Sequence, residues 1–196
     1  MTRILVLMIV ALLPACGALT SASQTLDVYE LRAPEPIAAS SRRSTVELVV
    51  EEPNASGALD TDRILIRPTP VQAQYLPGAR WADPAPQMVQ TLLLRSLTAS
   101  GAFQSVGRRP IGSIGDFAVL TELSDFGAVP VGDQAQVNIR MSVRLVRERD
   151  ATVVATGNFG ASAMAGGTGT DEIVAAFDRA LNDLFAAIIP WIIART

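Results

Sequence analysis

The sequence predicts an α+β domain of two layers, a mixed or antiparallel sheet with two amphipathic helices packed on one face. Three observations carry this expectation. Short stretches rich in β-branched residues alternate apolar and polar positions with period two, the spacing that buries one face of a strand. Two longer stretches repeat their apolar residues every three or four positions, as a helix with one buried stripe does. The order is strands, helix, three strands, helix, and strands joined by short turns pair with their neighbours in sequence.

Each element follows from its own residues. Residues 16–43 are rich in Ser, Ala and Pro and read as a tether, although residues 26–31, Leu-Asp-Val-Tyr-Glu-Leu, could pair as an edge strand. The single α+β domain is expected over 44–196. Residues 45–50, Thr-Val-Glu-Leu-Val-Val, form a β-rich run ended by the turn-forming Pro-Asn-Ala-Ser-Gly of 53–57. Residues 60–67 read as a further strand, with Ile64 and Ile66 on one face and Arg63, Leu65 and Arg67 on the other. Pro68 and Pro70 should interrupt it, and residues 71–75 can resume as the second arm of a broken hairpin. At Asp83-Pro84 the period changes: a capping residue precedes proline at the first helical position, and Met88, Val89, Leu92, Leu93 and Leu97 then recur at helical spacing up to Ser100-Gly101. Residues 117–126 are the next strand. Residues 136–145 alternate most cleanly, burying Val137, Ile139, Met141, Val143 and Leu145 and leaving Gln136, Asn138, Arg140, Ser142 and Arg144 for water or a partner. A turn at 147–150 leads to a third strand over 152–161. After a Gly-rich connection, Asp171 and Glu172 suit the start of a last helix, whose stripe of Ile173, Phe177, Leu181, Leu184 and Ile188 faces the core until Pro190 bends or ends it.

The chain start carries a different signal. Arg3 supplies a positive charge, residues 4–13 are an uncharged apolar run, and Leu13-Pro14-Ala15-Cys16 resembles the lipobox of bacterial lipoproteins. Ten apolar residues are too few for the ~30 Å hydrocarbon core of a bilayer, so residues 1–15 read as a cleaved signal peptide. Cys16 is the only cysteine of the chain, and lipidation accounts for an unpaired thiol in an exported protein. The expected attachment is a diacylglyceryl group on its sulfur with a further acyl chain such as palmitate on the new amine, because one chain anchors only marginally. Gly17 follows, where an aspartate would favour retention at the inner membrane, so the periplasmic face of the outer membrane is the expected location.

Composition narrows the chemistry. Of the 196 residues none is His, and all sixteen basic residues are Arg. Cleavage leaves 181 residues and moves the net charge from −3 to −4, a poor polyanion binder, so nucleic acid is not an expected partner. Without His and with Cys16 acylated, a Ser-His-Asp triad, a thiolate nucleophile and a His metal site are excluded, and no cofactor beyond the covalent lipid is expected. The acids stand alone or beside Arg, as solvated strand ends do, so no catalytic residue is assigned and the chain is not expected to be an enzyme. Gly166-Gly167-Thr168-Gly169 lacks the lysine and spacing of a phosphate-binding loop. One segment has two readings: Tyr75, Arg80 and Trp81 lie in a Pro/Gly-containing stretch that could display a partner interface, or Trp81 could staple the following helix to the sheet.

Taken in order, the lipobox, the run 59–67, Tyr75, the Arg80-Trp81-Ala82-Asp83-Pro84 segment, the helix leading into residues 100–106 and the closing helix near Trp191 resemble the ABC-type transport auxiliary lipoproteins, the PqiC-like group. The resemblance covers about 26–191 and rests on the ordered series, since none of its motifs is a catalytic box. It implies a lipid-anchored docking or assembly subunit of an envelope lipid-transport system, whose partners are a periplasmic MCE-domain protein and the associated ABC permease and ATPase. A homo-oligomer around that partner is compatible with it. The alternative is a structural scaffold lipoprotein that assembles another outer-membrane machine.

Overall fold

Three long strands joined by tight turns form the spine of the sheet. The computed structural model describes residues 25–33, 44–109 and 115–196. In chain order its elements are β1 (Asp27–Tyr29), β2 (Glu47–Val50), β3 (Asn54–Ala55), β4 (Arg63–Thr69), β5 (Gln72–Trp81), α1 (Ala85–Ala99), β6 (Ser105–Gly107), β7 (Phe117–Val131), β8 (Gln134–Arg147), β9 (Thr152–Met164) and α2 (Thr170–Ile193). β7 pairs antiparallel with β8 along its whole length, across a two-residue loop in which Gly132 takes φ 63°. A primed turn of this kind needs positive φ, which glycine adopts without a steric penalty. β8 pairs in turn with β9, and at their turn Asp150 accepts a hydrogen bond from Arg147 (3.0 Å) and one from the Thr152 amide (3.2 Å).

The other edge of β7 is divided among several partners. Near its start it runs parallel to β2, in its middle to β3 and near its end to β4, with Val50 beside Val119 and Ile66 beside Ala128. β6 flanks β2, while β5 and then β1 continue the sheet beyond β4. The result is a mixed, unclosed sheet of nine strands with two helices, the α+β class the patterning predicts. Both helices contribute to one hydrophobic core with the inner sheet face. Val137, Ile139, Met141, Val143 and Leu145 are at most 1% exposed, and the α2 stripe lies over them fully buried. Trp81, Phe126 and Phe177 meet at ring separations of 4.9 to 5.9 Å, linking β5, β7 and α2.

The edge-strand reading of residues 26–31 holds, while tertiary context corrects the readings of three prolines. Residues 27–29 join the sheet as an edge strand beside β5, and Leu31 enters the core. Pro68 does not interrupt β4, because the register shifts between Ile66 and Thr69 and no ladder donor is required of it. Pro84 is the N-cap residue of α1 and not its first helical position. Pro190 lies inside α2, which continues to Ile193. The missing amide costs about 3 kcal/mol. Ile192, fully buried, and Trp191, half-buried with its ring 5.4 Å from that of Phe159, offset this by packing the last turn against the sheet.

One buried polar atom offers a test of this packing. Thr121 is buried in β7 and its hydroxyl has no hydrogen-bond partner. Leaving a hydroxyl unpaired costs about 1–3 kcal/mol. Thr121→Val keeps the branched shape and should raise stability by about 1 kcal/mol, read as a higher urea midpoint at unchanged m-value. An unchanged or lower midpoint would contradict the burial of an orphan hydroxyl there.

Candidate docking surface

The segment singled out in sequence does not form one surface. Trp81, the last residue of β5, is 0% exposed between Phe126 and Phe177, so it serves packing and is not available to a partner. Tyr75 is 37% exposed on the opposite side. Its hydroxyl donates to the Ala58 carbonyl at 3.4 Å, and the Arg63 guanidinium lies 5.6 Å from its ring centre. Arg80 donates to Asp62 (3.2 Å) and to the Trp81 carbonyl (3.3 Å) at the half-buried rim. Gly78 separates them. With φ 73° it sits where the β4–β5 register shifts, so Leu76 points inward before it and Ala79 and Trp81 point inward after it. Leu13, Pro14, Ala15 and Cys16 lie outside the described residues.

The surface able to receive a partner is the outer side of the β7–β9 meander. No helix covers it among the described residues. Register places Glu122, Ser142 and Asn158 in one row across the three strands, and Asp125, Arg140 and Gly160 in the next. The Arg140 side chain lies along the strand neighbour Gly160, where an added Cβ would come within 3.6 Å of its Cγ, and Ser124 donates to the Arg140 carbonyl. Burial pushes the Asp125 carboxyl above the usual aspartate range, with the nearby Arg67 (3.6 Å) and Arg140 pulling the other way. Arg144 completes the row beside Thr156. The polar strand face expected from β8 is therefore real, and both its arginines reach solvent.

This surface ends in an open strand. Among the described residues β9 pairs with β8 alone, which leaves one side of its thirteen residues unpaired there. Native sheets protect such edges with charge, proline or shortness. β9 uses none of these, since no charged residue occurs from Ala151 to Thr170 and the strand contains no proline. The uncharged run from 151 to 170 is the sequence signal of this edge, one that the period-two alternation of the strand does not carry. The other outer strands, β1 and β6, are three residues each.

A family model for the ABC-type transport auxiliary lipoprotein component matches residues 29–189. The chain belongs to that family. Auxiliary lipoproteins of this kind are components of ABC-type transport systems, membrane-anchored in the envelope. This auxiliary lipoprotein is similar to the crystal structure of protein XCC0632 from Xanthomonas campestris, with 27% identity and a TM-score of 0.75 over 86% of this chain and 95% of that one. It is 28% identical over 166 residues to protein bll6063 of Bradyrhizobium diazoefficiens, and spans 83% of its own length but only 44% of that relative's. The hypothetical protein CT253 of Chlamydia trachomatis shares the fold at a TM-score of 0.52 and 11% identity, covering 78% of this chain. Among the described residues no helix is long and apolar enough to cross a membrane.

Proposed function

We infer that this auxiliary lipoprotein is a docking and assembly subunit of an envelope ABC/MCE-type lipid-transport system, held by lipid on Cys16 at the periplasmic face of the outer membrane. The observation that carries this reading is the unprotected β9 edge on a family member that belongs to an ABC-type transporter. An uncharged thirteen-residue edge beside a polar face with two solvent-reaching arginines suits strand addition or face docking by a periplasmic partner. The lipobox supplies the anchor, and two or more acyl chains make it durable.

Pull-down with the lipidated chain tests the reading. The wild type should retain the MCE-domain protein, and Thr156→Lys with Asn158→Lys, placed on the outer face of the edge strand, should weaken retention at least tenfold at unchanged melting temperature. Cys16→Ser should abolish fatty-acid labelling and release the chain from the membrane fraction. Labelling of Cys16→Ser equal to wild type would sink the anchor. Failure of the wild type to bind any transporter component would leave the scaffold reading.

A further inference from the structure

The two ends of the sheet differ in chemistry. At one end lie the charged groups: Arg147 and Asp150 in the β8–β9 turn, with Arg109 bridging Glu51 and Glu148. At the other end register brings together the β4–β5 hairpin tip, the β7–β8 turn and the end of β9. Residues 68–75, Pro-Thr-Pro-Val-Gln-Ala-Gln-Tyr, are all exposed and none is charged. Val71 at that tip is 98% exposed, Val131 45% and Met164 41%. Single exposed apolar residues are ordinary, but these three crown the end of neighbouring strands. Across the hairpin tip, the β7–β8 turn and the Gly-rich connection after β9, Asp133 is the only charged side chain.

Residues 25 and 26, the described residues nearest the anchor, lie toward this same end. β1 runs parallel to β5 with Asp27 beside Ala79, so residues 25 and 26 before it point in the direction of Gln72 and the hairpin tip. From the level of residue 25 to that tip is about six residues of strand, or about 20 Å. Cys16 precedes residue 25 by nine residues, a reach of at most about 30 Å. The tether is thus long enough to let the tip meet the membrane and too short to let the domain stand far from it.

We propose that the tip formed by Val71, Val131 and Met164 seats in a zwitterionic lipid surface, so that the lipoprotein contacts its membrane through protein as well as through its acyl chains. The occupant is zwitterionic because the charges at the tip are mixed, Asp133 in the β7–β8 turn and Glu172 against the Gly-rich connection on one side and Arg179, which donates to the Met164 carbonyl (2.7 Å), on the other, so no surplus cation calls for an anionic headgroup. Shallow seating of aliphatic side chains at the headgroup boundary needs no such cation. Orientation follows: the strand axes point toward the bilayer, the charged end points into the periplasm, and the β9 edge runs away from the membrane and faces sideways, open to a periplasmic partner. The proposal rests on the anchor reading above.

The test uses the full lipidated chain, in which acylation of Cys16 leaves an introduced cysteine as the only free thiol. Val71→Cys, Val131→Cys and, at the charged end, Ala151→Cys carry an environment-sensitive dye in phosphatidylethanolamine–phosphatidylcholine vesicles. The dye at 71 and 131 should shift to the blue and be quenched by spin-labelled lipid, and the dye at 151 should be quenched only from water. Adding Val71→Asp and Val131→Asp to a Met164→Cys chain should abolish lipid quenching at 164 while the protein still floats with vesicles. Flotation with all three dyes in water would overturn the seated tip and leave the anchor standing. Absence of flotation would overturn both.

Discussion

Trp81→Ala should destabilise the domain by about 3–5 kcal/mol, the range for removing a large aromatic from a packed core. The side chain is fully buried and touches rings from β7 and α2, so its loss opens a void where strand and helix layers meet. At about 2–4 °C per kcal/mol for a domain of this size, melting should fall by on the order of 10 °C. Arg80→Ala should change stability by no more than about 1 kcal/mol, because its pair with Asp62 is more than a third exposed. Circular dichroism melts of the two variants check this. A Trp81→Ala melt within about 1 kcal/mol of wild type, or an Arg80→Ala melt that is lower still, would show that the tryptophan does not join the layers.

Ile139→Asp should unfold the domain. Ile139 is fully buried in β8, opposite Phe126 and Ala161, and Asn138 and Arg140 on either side face outward. Among the described residues no arginine is buried, so a carboxylate there is unpaired and costs several kcal/mol, against a usual total of about 5–15. Arg140→Ala, one residue along, should leave folding nearly intact. Should thermal melts rank the two in the opposite order, the inner and outer faces of the meander would have to be exchanged.

The periodic parts of the fold were legible in sequence because their signals are local. The alternation of Val137 to Leu145 and the stripe of Ile173 to Ile188 fix which face of β8 and of α2 is buried, whatever they pack against. The prolines misled, because a proline's effect depends on whether its amide is needed. At Pro68 the ladder skips the residue, and at Pro190 the core holds the last turn in place. Of the two readings left open for the segment of Tyr75, Arg80 and Trp81, packing is the one Trp81 takes, against α2 instead of the helix that follows it, and sequence could not decide because the positive φ of Gly78, which reverses the inward face within β5, is set by tertiary pairing and leaves no periodic trace. The partition of one β7 edge among three parallel strands is equally non-local. It brings residues 48–50, 54–55 and 66 to a strand beginning at 117, and no spacing in the chain announces that.

The small strand β1 has a mechanical consequence. It is joined to β5 in parallel over three residue pairs; its last residue, Tyr29, donates to Asp171 (2.8 Å), and beyond it Arg32 pairs with Asp178 (3.3 Å), both acids on α2. Tension applied at the N-terminus pulls β1 along its own axis. Its bonds to β5 are then loaded together in shear instead of being peeled one after another, and the two side-chain ties pass part of the load to the longest helix. If the load exceeds what these few contacts bear, β1 slides free at the margin of the sheet while the β7–β9 meander and its aromatic cluster keep their shape, so the N-terminal strand acts as a yielding coupling between the pulled chain and the folded body.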